Sequence, residues 1–134
     1  MKVFLDTNVL VSAFTTRGLC ADLFRATLSQ QEFFVGKVVL RRVERILRQR
    51  FRMPERLVDD ITALLRSFPV VDPPAKLPTL SIRDRDDVPV IASAIAAGAD
   101  YFVTGDKEIL ALSEKLPLRI LSPRQLWEVM RGDE

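Results

Sequence analysis

Histidine is absent from this chain of 134 residues, and its absence removes whole classes of chemistry. No Ser-His-Asp or Cys-His nucleophile system can be built, and no histidine-containing zinc site. Acid–base or metal chemistry must rest on carboxylates, lysine, hydroxyls or bound water. Cysteine occurs once, as Cys20, so no internal disulfide can form. The residue falls in a helical pattern and reads as a small core side chain. No apolar run approaches the roughly 18 residues needed to cross a bilayer. The opening Lys2-Val3-Phe4-Leu5 is strand-like and is cut short by Asp6, which is not the build of a signal peptide. A cytoplasmic location with no membrane contact is expected. Aromatic residues are few among the arginines, so base stacking is not expected to carry binding.

A hydrophobic fraction of 48% beside 28% charged residues is that of a globular protein, and the length suits a single domain over residues 1–134 with a real core. The charges nearly cancel, 20 Lys+Arg against 18 Asp+Glu, but they are unevenly placed. Arg41, Arg42, Arg45, Arg48, Arg50, Arg52 and Arg56 crowd one stretch, and Asp84, Asp86 and Asp87 crowd another. A small acidic focus within an arginine-rich chain suits a polyanionic substrate.

Strand-like runs fall at 2–5, 32–35, 101–104 and 118–121, with a weaker one at 68–71. Helical spacing fills the intervals: 8–14, 19–28, 39–51 with Val39, Val43, Ile46, Leu47 and Phe51, and 55–66 with Leu57, Val58, Ile61, Leu64 and Leu65. Pro54 stands at the start of the last of these. Prolines between 69 and 78 make that segment an extended connector. A helix follows at 88–97, with Asp86 or Asp87 as its cap, Pro89 in its first turn and Gly98 at its end. Asp106 caps a helix at 107–113, and Ser122-Pro123 starts the last one, while 131–134 reads as a frayed end. Strands alternating with helices predict an α/β fold of three layers, α/β/α, with a central, mostly parallel sheet. Asp6 and Asp106 each follow a strand, and the C-terminal edge of a parallel sheet is where such folds place their ligand sites. Asp6, Asp87 and Asp106 gathered there would form a hard, oxygen-rich pocket suited to Mg²⁺ or Mn²⁺.

Three segments carry a resemblance. Asp6-Thr7-Asn8-Val9-Leu10 follows the first strand; Arg83-Asp84-Arg85-Asp86-Asp87-Val88-Pro89-Val90-Ile91-Ala92 opens a helix; Ala97-Gly98-Ala99-Asp100-Tyr101-Phe102-Val103-Thr104-Gly105-Asp106 runs through a later strand. With the closing Ile120-Leu121-Ser122-Pro123, they resemble the PIN domain family over essentially the whole chain, and most of all its VapC-like toxin branch from prokaryotic toxin–antitoxin pairs. The resemblance implies an endoribonuclease dependent on one or two Mg²⁺ or Mn²⁺ ions. It assigns Asp6, Asp87 and Asp106 to the catalytic, metal-holding acids, and Asn8 and Thr104 to supporting hydrogen bonds. It also implies an RNA substrate, an antitoxin protein partner and a homodimer. A bound metal would offset charge on the scissile phosphate and acidify the attacking water.

One position departs from the family pattern. A glutamate is usual on the helix after the second strand, and here Arg42 stands there. Glu44 is near, but two residues on a helix turn a side chain by about 200°. Three readings stay open. The helix could shift to bring Glu44 inward as a fourth ligand, three aspartates could suffice, or Arg42 could fill the pocket and leave a weakened domain that binds RNA or protein without efficient cleavage. Plainer uses also exist. Asp87 and Asp106 are good helix caps, each worth about 1 kcal/mol. Asp84 and Asp86 suit solvated loop charges, and Arg41, Arg45, Arg48 and Arg52 suit either a wet helix face or contact with RNA or a partner. Phosphoryl-accepting domains of receiver or haloacid-dehalogenase type also put an aspartate after the first strand. Here, however, Asn8 stands where the second type wants another aspartate, and Lys107 lies on the helix side of Asp106 rather than at a strand end.

Overall fold

Five short apolar runs, β1 (Lys2–Leu5), β2 (Glu32–Gly36), β3 (Val70–Val71), β4 (Tyr101–Val103) and β5 (Arg119–Leu121), form one parallel sheet in the order β3-β2-β1-β4-β5. The architecture is that of a computed structural model describing residues 1–132. Strands buried on both faces need continuous rather than alternating apolar sequence, and Val3, Phe4, Leu5, Tyr101, Phe102 and Val103 are all buried. The register sets Phe4 beside Phe34 and Phe102. Its ring stacks on Phe102 at 5.3 Å and meets Phe34 edge-on at 5.5 Å. A Cβ on Gly36 would lie 2.8 Å from the Phe4 ring, so glycine at the end of β2 lets the chain pass close over the core.

Helices α1 (Thr7–Thr15), α2 (Leu19–Gln30), α3 (Lys37–Gln49), α4 (Glu55–Arg66), α5 (Asp87–Ala96), α6 (Lys107–Leu110) and α7 (Pro123–Met130) flank the sheet in the three-layer arrangement expected. Gly98, at φ +74°, ends α5, as only glycine does without strain. Ser122 and Gln125 close a reciprocal capping box on α7. Asp100 accepts the Lys2 N–H at 2.7 Å. Among the described residues no helix is long and apolar enough to cross a membrane.

Some expectations shift. Phe51 is 46% exposed rather than core. The helix ends at Gln49 and Arg52 takes a left-handed turn at φ +49°, so the apolar stripe no longer governs position 51. On α4 only Val58 and Leu65 are buried. Leu57 and Leu64, one helical position away on the flank, stay exposed because α4 packs chiefly on α3 through one side. The helix after Asp106 stops at Leu110, with a separate 3-10 turn at Ser113–Lys115. Just beyond the proline connector, Leu80 and Ile82 are buried. Arg131 still bonds back to Trp127; of the end expected to fray, residues 133–134 lie outside the described residues.

Candidate functional site

In a parallel pair, residues that follow matched strand positions lie side by side. Leu5 is in register with Val103, so the next residues, Asp6 and Thr104, meet at the C-terminal edge. Chain order reverses between β1 and β4, which is the switch point where open α/β sheets leave a crevice. There the Thr104 hydroxyl donates to Asp6 Oδ2 at 2.8 Å, and the Thr7 N–H donates to Asp6 Oδ1 at 2.8 Å. Thr104 Oγ1 in turn accepts the Asp106 N–H at 3.1 Å. Asp106 caps α6, accepting the Glu108 N–H at 2.8 Å and the Ile109 N–H at 3.3 Å through one oxygen. Asp6 and Asp106 are thus tied together through Thr104.

The facing wall is α3, which presents Val38, Arg41, Arg42, Arg45 and Ile46, spaced as one helical face. Asp84, Asp86, Asp87 and Pro89 supply the third side, and Thr7 and Asn8 complete an open cleft of ≈ 560 Å³. All three expected aspartates line it, as do Asn8, Arg41 and Arg45; Thr104 stands behind Asp6. Arg42 reaches across to Asp87, Nη1 to Oδ1, at 3.0 Å. Asp87 is the first residue of α5 rather than its cap. Asp86 holds the cap position without a side-chain cap bond.

Two expected residues are not brought to the cleft. Glu44, on the far side of α3, pairs with Arg48 at 3.1 Å and lies 4.0 Å from Arg66. The rotation about the helix axis overrules the shift that would have made it a fourth ligand. Arg48 belongs to that same outer cluster, forked onto Glu55 at 2.8 and 2.6 Å. Lys107 is likewise absent from the cleft lining. Sequence reasoning passed over Thr7, whose buried Oγ1 has no hydrogen-bond partner among the described residues. Its place between the two singled-out residues Asp6 and Asn8 was the available signal.

Burial above all holds the Asp6 carboxyl above its usual range; the bonds from Thr104 and Thr7 oppose this, Asp87 adds to it and Arg42 relieves it. Asp87 is raised too, first by burial and further by Asp84 and Asp106, against the Arg42 bond and charge. Both shifts are set first by burial, with neighbouring carboxylates adding to them and Arg42 opposing them. The cleft's donors are all hard oxygens, the chemistry that Mg²⁺ and Mn²⁺ prefer. Their arrangement does not match that chemistry. Among the described residues no three acids are grouped so as to hold a metal ion, and the carboxylate nearest α3 is engaged by a guanidinium. While Arg42 holds Asp87, these residues do not make a divalent-cation site. They make an acid-floored groove with an arginine wall.

A family model described as PIN domain matches residues 2–108. Among solved structures, the chain is similar to the crystal structure of VapBC2 from Rickettsia felis bound to a DNA fragment from their promoter. The TM-score is 0.65 at 19% identity, over 91% of this chain and 98% of that one. No curated protein matches.

Proposed function

The chain belongs to the PIN domain family, and from that premise we propose that it is an endoribonuclease, the toxin of a toxin–antitoxin pair. The observation that carries the proposal is the meeting of Asp6, Asp87 and Asp106 with Arg41 and Arg45 around one open cleft. Arg41 and Arg45 stand on its rim with no ion pair to another described residue, free to take successive phosphates of an RNA strand by their planar donors. Asp6 is held rigid by Thr7 and Thr104, so its carboxylate keeps one orientation toward the phosphate. Asn8, exposed at the mouth, offers both a donor and an acceptor to a ribose.

The likeness to a chain solved as part of VapBC2 supports an antitoxin partner, and a homodimer goes with the same proposal; sedimentation with and without the partner tests both. A requirement for one or two Mg²⁺ or Mn²⁺ ions also belongs to it. Such ions, when bound, offset phosphate charge and make water more acidic.

The test is cleavage of a mixed-sequence single-stranded RNA with Mn²⁺, Mg²⁺ or EDTA, wild type beside Asp106→Asn. Cutting that EDTA and Asp106→Asn both abolish is expected; cutting indifferent to Asp106→Asn sinks the proposal. The Arg42–Asp87 contact favours a second reading, a domain that holds RNA without cutting it well. Retained RNA binding with no cleavage in any metal would select it.

A further inference from the structure

The α3 residue that faces Asp87 across the cleft is a cation. We propose that Arg42 is the resident counter-ion of this cleft, so that a divalent ion enters only by displacing it from Asp87. This deepens the nuclease reading and rests on it for what the ion would be for.

Arg42 and Asp87 meet at 3.0 Å with side chains only 17% and 14% exposed, so solvent and salt screen the pair little. Arg41 and Arg45, its neighbours on the same helix face, are exposed. The other two acids are already engaged, Asp6 by Thr7 and Thr104 and Asp106 by the first turn of α6. Of these three, Asp87 is the carboxylate whose partner is a long side chain rather than a backbone N–H or a buried hydroxyl. An ion bound there would sit in contact range of the guanidinium, and the two positive charges repel. No carboxylate of α3 can take over, since its cleft face holds only Val38, Ile46 and the arginines, while Glu44 is held on the other side by Arg48.

The experiment is Mn²⁺ titration by calorimetry, with thermal unfolding at each Mn²⁺ concentration, on wild type, Arg42→Gln, Arg42→Glu and Arg42→Lys. Arg42→Gln should bind Mn²⁺ about tenfold more tightly than wild type, the least that removing a charge near a divalent ion gives even in water-like surroundings. Arg42→Glu should bind more tightly still, and Arg42→Lys should stay near wild type. Mn²⁺ should raise the unfolding midpoint of the Gln and Glu variants at lower concentrations than it raises that of wild type. Equal Mn²⁺ affinity in wild type, Arg42→Gln and Arg42→Glu overturns the proposal; if one variant does not fold, the other decides. RNA cleavage in parallel separates the two ideas. Tight Mn²⁺ binding by Arg42→Glu without cutting leaves the ion exchange standing and removes the nuclease. Cutting by a wild type that binds Mn²⁺ as tightly as Arg42→Gln does the reverse.

Discussion

Two arginines of α3 each hold acids, and they belong to different kinds of place. Arg48 has the better geometry, a fork onto Glu55 and a further contact to Glu44. These bonds push the arginine's pKa up and hold the Glu55 carboxyl below its usual range. Yet Arg48 and Glu55 lie open to water, where ion pairs contribute little. Arg42 has one bond to one acid, but inside a cleft where burial already raises the Asp6 and Asp87 carboxyls. Burial, more than the number of hydrogen bonds, decides where a charge matters.

The largest break in this comparison should come from a residue with no charge. Thr104→Val removes the hydroxyl that fixes Asp6 and accepts from Asp106. If the cleft is the active site, RNA cleavage should fall about 100-fold, as misplacement of a reacting group does, while Arg48→Ala leaves the rate unchanged. Gly36→Ala should disturb both clusters at once, because α3 begins there. The new Cβ meets the Phe4 ring, which Phe34 and Phe102 hold in place. Denaturant unfolding should show a loss of about 1–3 kcal/mol, in the range of overpacking.

Smaller effects sharpen the contrast. Arg41→Ala and Arg45→Ala should each weaken RNA binding and lower the slope of log affinity against log salt by about one, whereas Arg48→Ala should leave the slope alone. Asp6→Asn should raise the unfolding midpoint at neutral pH. The Asp6 pKa is raised in the fold, so its contribution is fully favourable below the unfolded value of about 3.8 and is lost as pH rises through the folded value. The gain from asparagine should therefore vanish in acid. Least of all, Glu55→Gln should leave the midpoint unresolved from wild type at any pH above the usual carboxylate range.

Sequence patterns made much of this legible, and unevenly. Val3-Phe4-Leu5 and Tyr101-Phe102-Val103 announced strands because a sheet covered on both faces tolerates nothing polar. Asp6 and Asp106 stood out because polar residues end those runs, and Asp106 is the helix cap it was read as. Phe51 and Leu57 misled for a shared reason. An apolar residue at helical spacing says which side it shares with its neighbours, and not whether the helix continues or that side is covered. Glu44 points away from position 42 and pairs with Arg48, since the turn per residue is a property of any helix.

What the sequence determined by itself is the fold class and the edge of the sheet that carries the acids. These follow from local periodicity and from where strands stop. Only the tertiary structure decided the partners. Register put Thr104 on Asp6, α3 and α5 came close enough for Arg42 to reach Asp87, and Arg48 was drawn away by Glu55 from the start of α4. Contacts between residues 45 or 98 positions apart depend on how whole elements pack, and no local pattern encodes that.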